Sequence, residues 1–205
     1  NNPTNINVVK IKPERLFDYE LGWKYNSKKI KFSANAFYMS YKNQLVLTGA
    51  LNDVGSPVFE NSGKSFRLGL ELESTIAITE KLIVSPNATI SQNKNLDFYF
   101  SRDGVLQNLG NTNIAFSPNV VVGNRITFLP VKDFHISFLS KFVGKQYMGN
   151  IDSENSVLKS YFVNDLNLSY DWKINKTIKS ITFSALVNNL FNLQYESNGY
   201  FYTYD

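Results

Sequence analysis

Ser65-Phe66-Arg67-Leu68-Gly69-Leu70-Glu71-Leu72-Glu73-Ser74 is the stretch on which the reading of this chain turns. Phe66, Leu68, Leu70 and Leu72 fall on one side of an extended backbone, and Arg67, Gly69, Glu71 and Glu73 fall on the other. Side chains of a strand alternate between two faces, so the period is two and the stretch is a strand. A strand of a soluble sandwich can carry such a pattern. Here, however, the second face is charged and nearly continuous, and the alternation recurs along the chain. An apolar outer face and a polar inner face, repeated in segments of about ten residues, are what a bilayer-spanning barrel requires.

Upstream, Phe17, Tyr19, Leu21, Trp23 and Tyr25 alternate with Asp18, Glu20, Gly22 and Lys24, and Asn26-Ser27-Lys28-Lys29 is a turn by composition. A second strand runs from Ile30 to about Tyr41. Its polar side is broken by Phe37 and Met39, which leaves its facing open. Downstream, four more alternating runs cover Leu82–Ser91, Pro118–Phe128, Phe134–Val143 and Phe162–Trp172, and a last strand runs from Ile181 to about Phe191. Pro86 removes one ladder donor and marks a weak point or bulge in its strand. The connections alternate short and long, the long ones covering 42–64, 92–116 and 144–160. This asymmetry predicts an all-β, antiparallel up-and-down transmembrane barrel, with about eight strands here, tight turns at a periplasmic rim and long loops outside. Trp23, Tyr25, Phe128, Phe134, Tyr170, Trp172 and Phe183 lie near short turns and would form the periplasmic aromatic girdle. Phe17, Tyr19, Tyr38, Phe142 and Tyr161 would lie towards the outer rim. The same aromatics could instead form the core of a soluble or surface-attached β-sandwich, carbohydrate-binding or structural.

Composition narrows the function classes. The chain has 205 residues, 15% aromatic, a net charge of +4 and no cysteine. No apolar run approaches the 18 or so residues of a membrane helix, but barrel strands offer lipid only every second residue. The basic residues are scattered, which argues against a nucleic-acid partner. Without cysteine there is neither a disulfide framework nor a thiolate metal site. His135 is the single histidine, so an imidazole metal cluster is excluded and a Ser-His-carboxylate constellation has no support beyond nearby Ser137. Asp152 and Glu154 fall short of a calcium shell. No cofactor and no enzyme activity are expected. No signal peptide opens the chain, and Asn1 suggests an internal fragment.

Two groups of residues remain as candidates for function. Glu20, Lys24, Arg67, Glu71, Glu73, Arg125 and Asp165, with Asp18, Lys141 and Asp171, would project into the lumen, where charge is cheap. In the outer loops, Phe98, Tyr99, Phe100 and Arg102 form an aromatic and cationic cluster, as do Lys145 with Tyr147, and Tyr200, Phe201, Tyr202 and Tyr204. Stacking and cation–π contact suit such side chains to flat anionic chelates.

Val187-Asn188-Asn189-Leu190-Phe191-Asn192-Leu193-Gln194-Tyr195 resembles the segment near the end of TonB-dependent outer-membrane receptors, in which Asn-Leu-Phe precedes a Tyr. Lys12-Pro13-Glu14 before Tyr19-Glu20-Leu21-Gly22, and Ser65 to Glu71, resemble strand segments of the same family. The resemblance implies the C-terminal part of a barrel of about 22 strands, lacking the final strand and the plug. It implies outer-membrane lipid around the barrel, the receptor's own plug inside it, and energy coupling by the TonB complex through the missing N-terminal region. It further implies import of a scarce small molecule such as an iron-siderophore. The residues after Tyr195 lack the Tyr-Thr-Gly-Tyr-Asp-Pro-Glu ending of glycan importers, which favours an iron chelate or cobalamin.

Overall fold

The computed structural model describes residues 12–51, 54, 57–61, 63–102, 105–174 and 179–201. Its strands are β1 (Arg15–Asn26), β2 (Ile30–Lys42), β3 (Leu45–Leu51), β4 (Pro57–Asn61), β5 (Lys64–Ala77), β6 (Leu82–Leu96), β7 (Tyr99–Arg102) and β8 (Val105–Asn108). They continue as β9 (Thr112–Asn113), β10 (Val120–Phe128), β11 (Phe134–Val143), β12 (Gln146–Tyr147), β13 (Val157–Leu158), β14 (Tyr161–Lys173) and β15 (Ser180–Val187). Eight of them pair antiparallel in the order β1-β2-β5-β6-β10-β11-β14-β15, with β9 added to β6. The remaining strands are local hairpins inside the long connections, β3 with β4, β7 with β8, and β12 with β13.

Register decides which side chains share a face, because directly opposed residues point the same way. Tyr19, Tyr38, Leu68 and Gln92 oppose one another on one face; Glu20, Phe37, Gly69 and Ser91 do so on the other. Carried across all eight strands, the first face holds Leu21, Ala36, Leu70 and Ile90, then Val122, Phe142 and Phe162. Among the described residues it holds no Asp or Glu on any of these strands. The second face holds all ten charges expected in the lumen. Among the described residues no second sheet covers the apolar face, so the sandwich reading lacks its other half. Phe17, Tyr19, Leu21, Trp23, Leu70, Ile90, Phe128, Phe162 and Phe183 are all exposed on that face.

Phe37 does sit on the polar face, and its partner explains why. It opposes Gly69, and a Cβ on Gly69 would meet its ring at 2.5 Å and the carbonyl oxygen of Ile90 at 2.8 Å. The phenyl ring therefore covers the backbone that a missing side chain leaves bare. The apolar face has its own irregularity. Asn124, Ser140 and Asn164 are opposed in one row across β10, β11 and β14, between apolar rows. Ser140 Oγ donates to Asn164 Oδ1 at 2.8 Å, so these two meet the cost of a polar group away from water by bonding to each other.

The two rims differ as expected. At the short-turn rim, aromatic pairs face outward: Trp23 with Phe32 at 5.6 Å, Phe134 with Tyr170 at 6.4 Å, and Trp172 with Phe183 at 6.4 Å. Asp133 closes the β10–β11 turn in the left-handed region (φ 64), which aspartate tolerates. Its Oδ1 lies 2.8 Å from Lys173 Nζ, and that hydrogen bond holds its carboxyl below the ordinary value of 3.8. Two boundaries lie more than three residues from the sequence reading. β6 extends to Leu96, five residues beyond Ser91. β15 ends at Val187 and not near Phe191, because Asn189 (φ 49) and Asn192 (φ 51) turn the backbone left-handed. Tyr161 stands at the outer rim but faces the lumen side, opposite Val143, and stacks on Tyr195 at 4.3 Å.

Candidate functional site

The polar face of β5, β6, β10, β11 and β14 forms a trough of about 470 Å³. Glu73, Asn87, Arg125, Lys141 and Asp165 are among its lining residues. The charges are spaced by neutral cross-strand neighbours. Lys24 opposes Ser33, which opposes Glu73, then Asn87, Gly123 and Lys141 follow in the same row. Arg125 and Asp165 are likewise separated by Leu139. Glu71 stands between Asn35 and Thr89. Among the described residues the only ion pair is Lys173 with Asp133, at the opposite rim from the long loops. The wall charges thus bear on the lumen without neutralising each other.

Four of the lumen charges have jobs inside the wall, among them Asp171, whose Oδ1 accepts from Thr182 Oγ1 at 2.6 Å. Glu20 Oε2 accepts from Asn35 Nδ2 at 3.3 Å. Asp165 Oδ1 accepts the Asn189 N–H at 2.7 Å and so fixes the turn that ends β15. Arg67 Nη1 donates to Ser117 Oγ at 2.9 Å and to Asn93 Oδ1 at 3.4 Å, tying β5 to the connection that leads into β10.

Two of the three long connections are not separate flaps. Asn95 on β6 is 0% exposed, and its Nδ2 reaches Asn150 Oδ1 at 3.3 Å and Thr112 Oγ1 at 3.2 Å. Asn150 Oδ1 also accepts the Ala115 N–H at 2.9 Å. Asp152 receives the Asn113 N–H at 2.8 Å and Asn113 Nδ2 at 3.0 Å, so it is a loop clamp and not a free calcium ligand. Tyr147 O accepts the Phe116 N–H at 2.8 Å. The described residues of 97–119 and 144–160 are thereby joined into one block. Sequence reasoning passed over Asn95 and Asn150, because an asparagine in a polar loop carries no local sign of burial.

The loop aromatics divide within this block. Phe98 is 4% exposed and packs with Phe100 and Ile151, so it is a core side chain of the loops and offers no face to a ligand. Tyr99, by contrast, is 54% exposed, and Tyr200 is 90% exposed. Tyr200 is flanked by anchored residues: a Cβ on Gly199 would meet Met148 Sδ at 2.5 Å, and one on Gly149 would meet Phe201 at 2.8 Å. Tyr147 is half-buried with Lys145 Nζ 5.7 Å from its ring centre. Arg102 ends β7 opposite Val105. Tyr202 lies outside the described residues.

Comparison with known proteins agrees with this geometry. The chain is 26% identical over 211 residues to the pesticin receptor of Yersinia enterocolitica serotype O:8, across 97% of this chain and 28% of that protein. Its fold matches the ferric yersiniabactin uptake receptor of Yersinia pestis with a TM-score of 0.68, at 20% identity over 93% of this chain and 27% of that one. It matches the ferric-catecholate import receptor of E. coli K12 with a TM-score of 0.65, at 19% identity over 96% of this chain and 26% of that one. The chain therefore spans little more than a quarter of the length of these relatives, all of which are receptors. The family described as TonB dependent receptor-like, beta-barrel matches residues 1–190, and the chain belongs to that family, whose members lie in the bacterial outer membrane.

Proposed function

We propose that this chain is a section of barrel wall, with three outer connections, in an outer-membrane receptor that imports a metal chelate of the siderophore type and is energised by the TonB system. The observation that carries the reading is the two-faced sheet: one face apolar and free of acidic side chains among the described residues, the other studded with unpaired charge. Such a sheet is stable with lipid on one side and a polar filling on the other. Glu71, Glu73, Lys24, Arg125 and Lys141 then meet complementary groups of a plug domain belonging to the same receptor, outside this chain. The pesticin receptor and the ferric-siderophore receptors support an iron chelate as cargo. Tyr99 and Tyr200 supply the exposed aromatic faces for stacking, with Tyr147 and Lys145 beside them.

Deleting the gene and measuring radio-iron uptake from ferric yersiniabactin and from a ferric catecholate tests the reading. Loss of one of these uptakes, restored by the wild-type gene and abolished by an uncoupler, is the expected result. Unchanged uptake of both by an iron-starved deletion strain would overturn the siderophore assignment.

A further inference from the structure

Among the described residues the apolar face carries only four charged side chains on its eight strands, and all four are cationic and at one rim. Arg15, Lys42 and Lys64 are directly opposed on β1, β2 and β5, and Lys94 follows one row lower, opposite Phe66. Adjacent strands lie about 4.8 Å apart, so the backbones of the first three span about 10 Å. Like charges opposed across strands repel, and a sheet normally separates them. No ion pair relieves this trio among the described residues. The carboxylate adjoining Arg15 is turned elsewhere, with Glu14 Oε2 accepting the Leu45 N–H at 3.2 Å. Arg15, Lys42 and Lys64 are exposed, and Lys94 is half-buried.

Below the first three cations stands Phe66, in the row of Lys94, and one row further down stand Tyr19 and Tyr38. The Tyr19 and Tyr38 ring centres are 6.4 Å apart and those of Tyr38 and Phe66 6.2 Å, and beneath them lies the apolar belt of Leu70 and Ile90. Cations, then aromatics, then hydrocarbon is the order of groups that an amphiphile with a phosphate head would meet. We infer that Arg15, Lys42, Lys64 and Lys94 form a binding site for the phosphates of an outer-leaflet glycolipid whose acyl chains lie along the belt beneath. The anion neutralises the opposed cations through charge-assisted hydrogen bonds, with the arginine able to hold two phosphate oxygens at once. The long connections at the same rim place it on the outer surface, so the inference rests on the membrane reading above.

The experiment uses the full-length receptor that carries this chain, purified in a nonionic detergent, with lipid A (an acylated, bisphosphorylated disaccharide) as the probe. Native mass spectrometry reads the bound lipid. Lys42→Gln with Lys64→Gln should weaken binding about thirty-fold, at about five-fold per lysine near an anionic surface. Lys24→Gln on the lumen face should leave binding unchanged, and dephosphorylated lipid A should bind the wild type as weakly as the double variant does. Millimolar inorganic phosphate should not displace the lipid, since it lacks the acyl chains. Equal binding of both lipids, or a double variant indistinguishable from wild type, would overturn the assignment. So would displacement by inorganic phosphate, or tighter capture of an acidic peptide than of lipid A. Fractionation of the wild-type protein with the outer membrane separates any such failure from a failure of the membrane reading itself.

Discussion

Leu70 and Glu71 are neighbours in sequence and belong to different solvents. Leu70 is opposed by Ala36 and Ile90 in the middle of the apolar belt, whereas Glu71 is opposed by Asn35 and Thr89 on the charged face. Leu70→Arg places a guanidinium in hydrocarbon, which costs about 2–4 kcal/mol near the midplane, or about thirty-fold to several hundred-fold in the folding equilibrium. Glu71→Arg changes the sign of a wetted group that makes no ion pair among the described residues, and should shift stability by less than about 1 kcal/mol. The assay is urea titration of the full-length receptor folded into phosphatidylcholine vesicles, read by tryptophan fluorescence and by the heat-resistant folded band on gels. Leu70→Arg should lower the midpoint markedly and Glu71→Arg hardly at all. Equal destabilisation by the two substitutions, or a larger effect from Glu71→Arg, would refute the facing assigned to β5 and to the strands registered on it.

Gly69→Ala should destabilise the barrel by about 1–3 kcal/mol, because its new Cβ collides with the Phe37 ring and the Ile90 carbonyl. Adding Phe37→Ala should recover only part of this in the same urea titration, since the carbonyl contact remains. Asn150→Ala should raise amide hydrogen exchange about ten-fold or more in both 111–117 and 146–152, because its side chain ties the second segment to the Ala115 N–H of the first and to Asn95. A rise confined to one segment would separate the loops. Asp133 has its carboxyl pKa depressed by the Lys173 hydrogen bond, so its stabilisation is present above the unfolded value near 3.8 and fades as pH falls through the lowered one. Asp133→Asn should therefore lower the thermal midpoint slightly at pH 7, with the difference from wild type closing in strongly acid buffer.

The alternation in β1, β5 and β14 was legible because a strand with two solvents writes its period directly into the sequence. Phe37 was not, because its reason lies on another strand, at Gly69. The outward Asn124, Ser140 and Asn164 were also hidden, for the polar row exists only once three strands are in register. The end of β15 was misplaced by Leu190 and Phe191, apolar residues that continue the look of a strand after Asn189 has already turned the backbone. In the outer connections, composition marked Phe98 as a contact residue; its burial depends on Ile151, far along the chain, which no local pattern reports. The cation row shows the same limit, since Lys42, Lys64 and Lys94 were read as parts of the long connections 42–64 and 92–116, and only the register brings them together on one face.

The chain itself has no cysteine, so single cysteine substitutions from Phe66 to Glu73, in a full-length receptor with any cysteine elsewhere replaced, probe the central claim that β5 separates lipid from a polar lumen. Spin labels at these positions in the full-length receptor, reconstituted in bilayers, report collision with oxygen dissolved in lipid and with a water-soluble nickel chelate. Positions 66, 68, 70 and 72 should favour oxygen, and 67, 69, 71 and 73 the chelate or, where the lumen is filled, neither. Chelate access at 68, 70 and 72, or loss of the two-residue period, would contradict the account.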